Sequence, residues 1–215
     1  MPNSVSDRET AGEPVLDTDF VHRWLTAAAA AMSREAARLT DLDSAIGDAD
    51  HGSNMQRGFT AVTAALEKEP PDSPGAALIL AGRQLISKVG GASGPLYGTL
   101  LRRAGKALGD AEQVTLQELA GALRTGVEAV AQLGGSAPGD KTMLDALVPA
   151  VEALATDGGS FEAASEAADK GALATVPMLA RKGRASYLGE RSIGHQDPGA
   201  TSSALLFAAF EEVAR

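Results

Sequence analysis

The stretch DTDFVHRWLTAAAAAMSREAARL, residues 17–39, has the residue spacing of an amphipathic α-helix. Its apolar side chains recur at intervals of three and four residues, as in Phe20, Trp24, Ala28 and Ala31. Alanine has the highest intrinsic helix propensity, and its small side chain lets neighbouring helices approach closely. The stretch therefore predicts a long first helix in an all-α protein.

Seven further segments have the same periodicity. The helices predicted from them cover residues 52–66, 74–89, 95–108, 115–134, 142–155, 160–182 and 199–214. Ser73 and Pro74 are typical of a helix start, Thr115 and Glu118 form a capping box, and Pro177 would kink the seventh helix. No segment alternates with a period of two for long enough to predict a strand. Eight helices with short connections predict an antiparallel up-and-down bundle or closed barrel.

The composition suits one globular domain without covalent cross-links. The chain has 215 residues, of which 44% are hydrophobic and only 4% aromatic. A β-sandwich would need more aromatic and β-branched residues. Cysteine is absent, which excludes disulfides, thiolate zinc sites, iron–sulfur clusters and a cysteine nucleophile. We predict a single domain over residues 15–215, preceded by a disordered tail over residues 1–14.

The charge of the chain excludes several classes of partner. Its net charge is −9 and its isoelectric point is about 4.8. Nucleic acids and anionic membranes require a basic face, so neither is expected as the main partner. No apolar run reaches the length of a spanning helix, and residues 1–20 lack the hydrophobic block of a signal peptide. We expect a soluble cytoplasmic protein.

An acidic turn follows the first predicted helix. The segment DSAIGDADHGSN places three carboxylates, Asp43, Asp48 and Asp50, within eight residues. Like charges this close repel unless a cation neutralises them, and oxygen ligands select hard ions such as Mg²⁺. An EF-hand calcium loop is disfavoured, because its twelfth position counted from Asp48 is Phe59 instead of Glu. The alternative is a solvated loop in which Asp50 or Ser53 caps the next helix.

Two glycine-rich loops offer backbone N–H groups to an anion. Residues 89–95 read VGGASGP, and residues 134–142 read GGSAPGDKT. Such loops ahead of a helix N-terminus can bind phosphate, although each could also be a plain connection. The second loop is not a P-loop, because Asp140 separates Gly139 from Lys141 and no strand precedes it. A Walker-type NTPase is therefore excluded, and Lys141 is predicted to be a surface charge.

A third polar loop, residues 184–200, precedes the last helix. Arg184 and Arg191 could each bind a phosphate with two hydrogen bonds, or could pair with surface acids. Asp197 could accept from a ribose hydroxyl or cap the last helix. His51, beside the acidic turn, could donate to a phosphate oxygen or have no role.

Four motifs taken together resemble one protein family. They occupy residues 43–54, 90–98, 139–145 and 194–200. In this order they are similar to the nucleotide-binding L subunit of dihydroxyacetone kinases, and the resemblance extends from about residue 17 to the C-terminus. It implies an eight-helix antiparallel barrel that binds a nucleotide and two magnesium ions at one end.

The resemblance also implies roles for individual residues. Asp43, Asp48 and Asp50 would hold the two Mg²⁺ ions and so support catalysis. The residues implied to bind the nucleotide, ADP or ATP, are His51, Gly52, Ser53, Asn54, Ala92, Ser93, Gly134, Met143, Arg184, Asp197, Pro198 and Gly199. Among them, His51, Ser53 and Asn54 would contact phosphates. Gly134 and Met143 would line the adenine pocket, and Arg184 is preferred to Arg191.

The resemblance further implies partner proteins. In the family, dihydroxyacetone is held covalently on a histidine of a separate K subunit. In the phosphotransferase-system version, ADP stays bound and an M subunit rephosphorylates it. In the other version ATP exchanges, as in kinases for related sugars such as erythrulose. Two further alternatives are a non-catalytic nucleotide-binding partner of a transcription regulator and a helical scaffold.

Overall fold

The computed structural model describes residues 15–215, so the predicted tail over residues 1–14 lies outside the described part. Within residues 15–215 it contains nine α-helices, one 3₁₀ helix and two short strands. The helices are α1 (Thr18–Arg34), α2 (Ala36–Ile46), α3 (His51–Lys68), α4 (Pro74–Lys88), α5 (Ser93–Leu108), α6 (Leu116–Gly134), α7 (Leu144–Ala155), α8 (Phe161–Ala174) and α9 (Pro198–Ala214). The 3₁₀ helix is Arg184–Ser192, and the strands are β1 (Leu16–Asp17) and β2 (Gln113–Val114).

Eight of these helices form a closed ring. α1 packs on α3, and α4 to α9 follow in chain order, each against its predecessor. The ring closes where α9 packs back on α1. α2 is an additional helix that packs against α3, α9 and the 3₁₀ helix. The all-α prediction is confirmed.

The predicted helix over residues 17–39 is in fact two helices. α1 ends at Arg34, and α2 begins at Ala36 after a residue, Glu35, with φ −95° and ψ 4°. The break lies in a run with high helix propensity, so the local sequence gives no signal for it. The change of direction allows α2 to pack on α3, and α2 carries the first residues of the acidic turn.

The predicted helix over residues 160–182 is too long. α8 ends at Ala174, three residues before Pro177. Proline lacks the N–H group of a helical hydrogen bond, and its ring clashes with the preceding turn. Here the helix therefore ends before Pro177, and the predicted kink does not occur. Residues 175–197 form a long connection to α9 that contains the 3₁₀ helix. We call these residues the α8–α9 connection.

The few aromatic residues concentrate where the ring closes. Trp24 of α1 stacks on Phe210 of α9 with ring centroids 3.7 Å apart, and its indole N–H donates to the Leu206 carbonyl at 2.9 Å. Phe20 and Phe161 pack on the same Phe210 ring. Burying rings of this size contributes more per residue than any other apolar side chain, so this contact stabilises the closure.

The connections alternate between the two ends of the ring. Residues 47–50, 89–92, 135–143 and the α8–α9 connection contribute to one common cavity. At the opposite end β1 pairs antiparallel with β2, with Leu16 opposite Val114. Consequently α3, α5, α7 and α9 all begin at the same end. Within residues 15–215, no helix is both long enough and apolar enough to cross a lipid bilayer.

Candidate functional site

A cavity of about 390 Å³ opens at the end of the ring where α3, α5, α7 and α9 begin. The predicted site residues that line it are Asp43, Asp48, Asp50, His51, Ala92, Ser93, Gly134, Met143, Arg184, Asp197, Pro198 and Gly199. Residues from distant parts of the sequence therefore meet in one place. The volume lies in the range of small-molecule binding sites.

Helix N-termini surround the cavity. α3 begins at His51, α5 at Ser93 and α9 at Pro198, and all three residues line it. α7 begins at Leu144, directly after the lining residue Met143. The first N–H groups of a helix have no partner within the helix, and the helix dipole adds partial positive charge there. This end of the ring is therefore suited to an anionic ligand.

The three aspartates of the acidic turn converge at the same end. Each of Asp43, Asp48 and Asp50 offers a carboxylate oxygen, and these oxygens lie within 4.8 Å of one another. Asp43 is buried in the last turn of α2, whereas the other two are not buried. Oxygen ligands with this spacing and with open positions suit Mg²⁺, which keeps several waters or phosphate oxygens in its shell. The residues therefore fit a magnesium site.

Asp43 also fixes the start of α3. Its Oδ2 accepts the backbone N–H groups of Asp50 at 2.8 Å and His51 at 3.1 Å. Gly47 allows this approach, because a Cβ there would overlap the Asp43 carboxylate. Ala49 adopts a left-handed conformation, with φ 61°, that is unfavourable for an L-residue. The turn is thus held in a strained form that brings its acids together.

Arg184 lies beside the acidic turn. Its Nη2 is 2.9 Å from the Asp48 Oδ2, and the two side chains are 69% and 36% exposed. An exposed ion pair is weak, so this arginine can exchange its partner for a phosphate at little cost. Arg191 is exposed and does not line the cavity. The geometry favours Arg184 over Arg191.

His51 connects three helices. Its Nε2 is 2.8 Å from the Ser202 Oγ of α9, and its Nδ1 is 3.2 Å from the Ser93 Oγ of α5. Burial lowers the pKa of His51, although the charges of Asp43 and Asp50 oppose the shift. The ring is therefore neutral at pH 7, and both nitrogens already have hydroxyl partners. Contact of His51 with a phosphate oxygen stays a prediction.

Tyr97 extends this polar network, which the sequence did not indicate. Its hydroxyl donates to the Gly199 carbonyl at 3.0 Å and lies 2.6 Å from Ser202 Oγ and 2.8 Å from Ser203 Oγ. Burial raises the pKa of Tyr97 well above its usual value, so it stays protonated. A signal was available, because Thr201, Ser202 and Ser203 are consecutive polar residues in a stretch of the last helix, residues 198–210, that is otherwise apolar.

Three predicted site residues do not line the cavity. Gly52 packs against the Ala36 carbonyl of α2, where a Cβ would overlap it. Ser53 is exposed, and its hydroxyl donates to the Asp50 carbonyl at 2.9 Å. Asn54 is buried and accepts a hydrogen bond from Arg57. Their contact with a nucleotide stays a prediction.

Asp197 caps α9 while lining the cavity. Its Oδ2 accepts the Ala200 N–H at 2.7 Å, and its own N–H donates to the Thr175 hydroxyl at 2.9 Å. Burial raises the pKa of Asp197 to about 7. The charge of Asp145 raises it further, whereas the Ala200 N–H and the Lys141 ammonium lower it. The carboxyl therefore titrates near neutral pH.

The prediction that Lys141 is a surface charge is wrong. The residue is only 1% exposed, and its Nζ donates to the carbonyls of Met178 at 3.1 Å and Ser192 at 2.6 Å. Burial lowers the pKa of the ammonium, an effect that the charge of Asp197 opposes. The fold buries this lysine because the α8–α9 connection covers it, and that connection was predicted to be helical up to residue 182.

Comparison with known proteins adds to this geometry. The family model described as the DAK2 domain matches residues 45–212. The ADP-binding subunit of the PEP-dependent dihydroxyacetone kinase of Escherichia coli is 50% identical over 186 residues, covering 83% of this chain and 89% of that protein. The L-erythrulose 1-kinase of Mycolicibacterium smegmatis is 39% identical over 183 residues, covering 82% of this chain and 32% of that protein.

A solved structure resembles the fold. The dihydroxyacetone kinase of C. freundii, crystallised in complex with AMP-PNP and Mg²⁺, superposes with a TM-score of 0.72 and 27% sequence identity. The match covers 99% of this chain and 37% of that one. A helical ring like the one described above therefore forms one part of that larger kinase.

The raised pKa of Asp197 predicts a pH-dependent stability. A carboxyl whose pKa is higher in the folded state stabilises the fold at low pH, and this contribution is lost as the pH rises towards 7 and above. Each unit of pKa shift corresponds to about 1.4 kcal/mol. The Asp197→Asn variant keeps an acceptor for Ala200 but cannot ionise, so its free energy of unfolding should fall less between pH 5 and about 8.5.

Urea denaturation of both proteins across this pH range measures the difference. Asp157→Asn, which changes an exposed carboxyl between α7 and α8, is the control and should follow the parent protein. If the free energy of unfolding changed with pH equally in Asp197→Asn and in the parent protein, the raised pKa of Asp197 would be contradicted.

Proposed function

Because the chain belongs to the DAK2 domain family, we propose that it is the nucleotide-binding phosphotransfer subunit of a dihydroxyacetone kinase. The observation that carries this proposal is the convergence of Asp43, Asp48 and Asp50 beside helix N-termini in one cavity. Carboxylates that repel one another need a cation, and helix N-termini need an anion. A complex of Mg²⁺ with a nucleotide supplies both.

The three aspartates would hold two Mg²⁺ ions. When bound, magnesium neutralises charge on the phosphate oxygens and makes the terminal phosphorus easier to attack. Asp43 would be the fixed ligand, since its Oδ2 accepts two backbone N–H groups at the start of α3. Asp48 and Asp50 lie nearer to solvent and would close the metal shell around the phosphates.

Other cavity residues would hold the nucleotide itself. The phosphates would bind at the N-termini of α3 and α5 and at the guanidinium of Arg184, since all three line the cavity. Leu96, Val130 and Met143 form an apolar side of the cavity, which suits the adenine ring. Asp197, at the start of α9, would accept from a ribose hydroxyl, as predicted.

The transfer itself depends mainly on position and charge. The bond between the terminal phosphorus and its bridging oxygen breaks, and that oxygen stays on the ADP. A bond from a ketose hydroxyl oxygen to phosphorus forms, and the hydroxyl proton is released to solvent. The protein's part is to hold the phosphates in line with the acceptor and to offset the negative charge that spreads over the transferred group. Arg184 and the helix N-termini that line the cavity would help to offset this charge.

The acceptor is proposed to be dihydroxyacetone presented by a separate K subunit. Support comes from the E. coli relative, whose name describes an ADP-binding subunit and which this chain matches along 89% of its length. A relative from Lactococcus lactis, 40% identical, is named as PTS-dependent. We therefore propose that ADP stays bound and is rephosphorylated in place by an M subunit of the phosphotransferase system.

An ATP-dependent kinase of a related ketose is the second candidate. The 39% identity to the L-erythrulose 1-kinase favours it, although the chain matches only about a third of that protein. The two candidates differ in what happens to the nucleotide, since a rephosphorylated ADP has to remain bound and an ATP donor has to exchange.

The metal assignment predicts a specific loss in Asp48→Ala. This variant removes one ligand and also some charge repulsion, so the fold should be kept while Mg²⁺-dependent ADP binding falls by at least about tenfold and phosphoryl transfer is abolished. Isothermal titration with ADP and Mg²⁺ measures binding, and transfer is assayed with the dihydroxyacetone-binding partner. Asp41→Asn, which changes an exposed acid of α2 shortly before the acidic turn, should leave both unchanged. Full activity of Asp48→Ala would contradict the metal site.

The choice of donor predicts the state of the purified protein. Denaturing freshly purified and dialysed protein should release ADP in a near-equal amount. Dihydroxyacetone and ATP added to this chain alone should give no product. Ready loss of the nucleotide on dialysis would favour ATP exchange, and product formed without a partner would contradict the two-subunit proposal.

A further inference from the structure

The α8–α9 connection has little apolar packing to hold it in place. In its 3₁₀ helix, Ala185 and Ser192 are the buried residues. Its apolar contacts form a small cluster of Ile46, Ala180 and Ala185, separate from the main core. Burial of side chains as small as alanine contributes little free energy. The connection that carries Arg184 therefore depends on polar contacts for its conformation.

Lys141 supplies the central polar contact. Its ammonium donates to the carbonyl of Met178, which precedes the 3₁₀ helix, and to that of Ser192, at its end. At the same point the Ser192 hydroxyl accepts the Ala180 N–H at 3.0 Å and donates to the Gly189 carbonyl at 2.7 Å. One side chain thus joins both ends of the loop that presents Arg184.

The backbone around Lys141 holds the side chain inward. Lys141 adopts a left-handed conformation, with φ 63°, that costs free energy for a non-glycine residue. The preceding Asp140 carbonyl accepts the Arg181 N–H at 3.1 Å, and the following Thr142 N–H donates to Asp145 at 2.7 Å. The loop between α6 and α7 is therefore fixed on both sides of the lysine.

Packing alone does not explain a lysine at this position. A buried ammonium loses its hydration, and an apolar side chain of similar volume would fill the space without that cost. The lysine is useful only if its hydrogen bonds hold something that apolar contacts cannot. The two carbonyls that it binds belong to the connection, and the connection carries the arginine that lies 2.9 Å from Asp48.

We propose that Lys141 is a positioning residue that holds the α8–α9 connection so that Arg184 faces the acidic turn. The inference rests on the proposed function, since Arg184 would act there on the nucleotide phosphates. Lys141 acts through Arg184, so removing either residue removes the same contribution to binding. A lysine that instead bound the nucleotide directly would contribute independently of Arg184.

A double-mutant cycle on the full chain separates these cases. The dissociation constant of ADP with Mg²⁺ is measured by titration calorimetry for Lys141→Met, Arg184→Ala and the double variant. We expect each single variant to weaken binding about tenfold, and the double variant to be no weaker than either. Arg191→Ala, which removes an exposed cation from the same 3₁₀ helix, is the matched control and should bind like the parent protein.

Two outcomes of the cycle overturn the inference. One is an unchanged affinity in Lys141→Met, and the other is an additive loss of about a hundredfold in the double variant. A parent protein that does not bind ADP with Mg²⁺ would contradict the proposed function instead. Hydrogen exchange, which needs no nucleotide, then decides whether Lys141 holds the α8–α9 connection.

Hydrogen exchange tests the positioning directly. The N–H groups of Ala180, Arg181 and Gly194 are hydrogen-bonded within or to the connection. In Lys141→Met these amides should exchange at least about tenfold faster, while those of α4 and α5 keep their rates. Lys141→Gln, which retains an N–H donor, should show a smaller effect. A uniform acceleration in all helices, or global unfolding of both variants, would make Lys141 a general core residue and overturn the inference.

Discussion

Four helix N-termini meet at one end of the ring, and the chemistry of the molecule depends on this arrangement. It arises because alternate helices of an up-and-down ring run in the same direction, so α3, α5, α7 and α9 all begin there. The partial positive charge at these helix starts favours an anion. The acidic turn adds three carboxylates at the edge of the same cavity, and α2 holds the first of them. A metal–polyphosphate complex satisfies both sets of charges at once.

The site is assembled at a cost to local stability. Ala49 and Lys141, both in loops that line or border the cavity, are the non-glycine residues with positive φ in the described part of the chain. Asp197 and Lys141 are ionisable groups in buried positions. Burial raises the pKa of Asp197 and lowers that of Lys141, and both shifts favour the neutral form. The stacked aromatic side chains of Trp24 and Phe210 stabilise the contact between α1 and α9. The backbone strain is therefore confined to the end of the helical ring that holds the cavity.

Periodicity predicted the helical ring, because the apolar spacing of each helix directly reflects the face that it buries. The break at Glu35 was not predictable, since the residues around it favour helix and only packing on α3 and α9 decides against continuity. Within the site, the aspartates were predictable because three carboxylates within eight residues repel one another and so indicate a bound cation. Lys141 was not, because its burial depends on a connection that is distant in the sequence. The network of Tyr97 was missed, although the polar residues 201–203 of the last helix were a signal for it.

Anomalous diffraction from crystals grown with ADP and Mn²⁺ measures most directly whether the three aspartates hold a metal ion against the nucleotide phosphates. Manganese shares the preference of magnesium for oxygen ligands and is visible by its anomalous signal. We expect a manganese peak bounded by carboxylate oxygens of Asp43, Asp48 and Asp50, with the ADP phosphates on its other side near the starts of α3 and α5. Nucleotide bound elsewhere, or these carboxylates pointing into solvent without a peak between them, would contradict it.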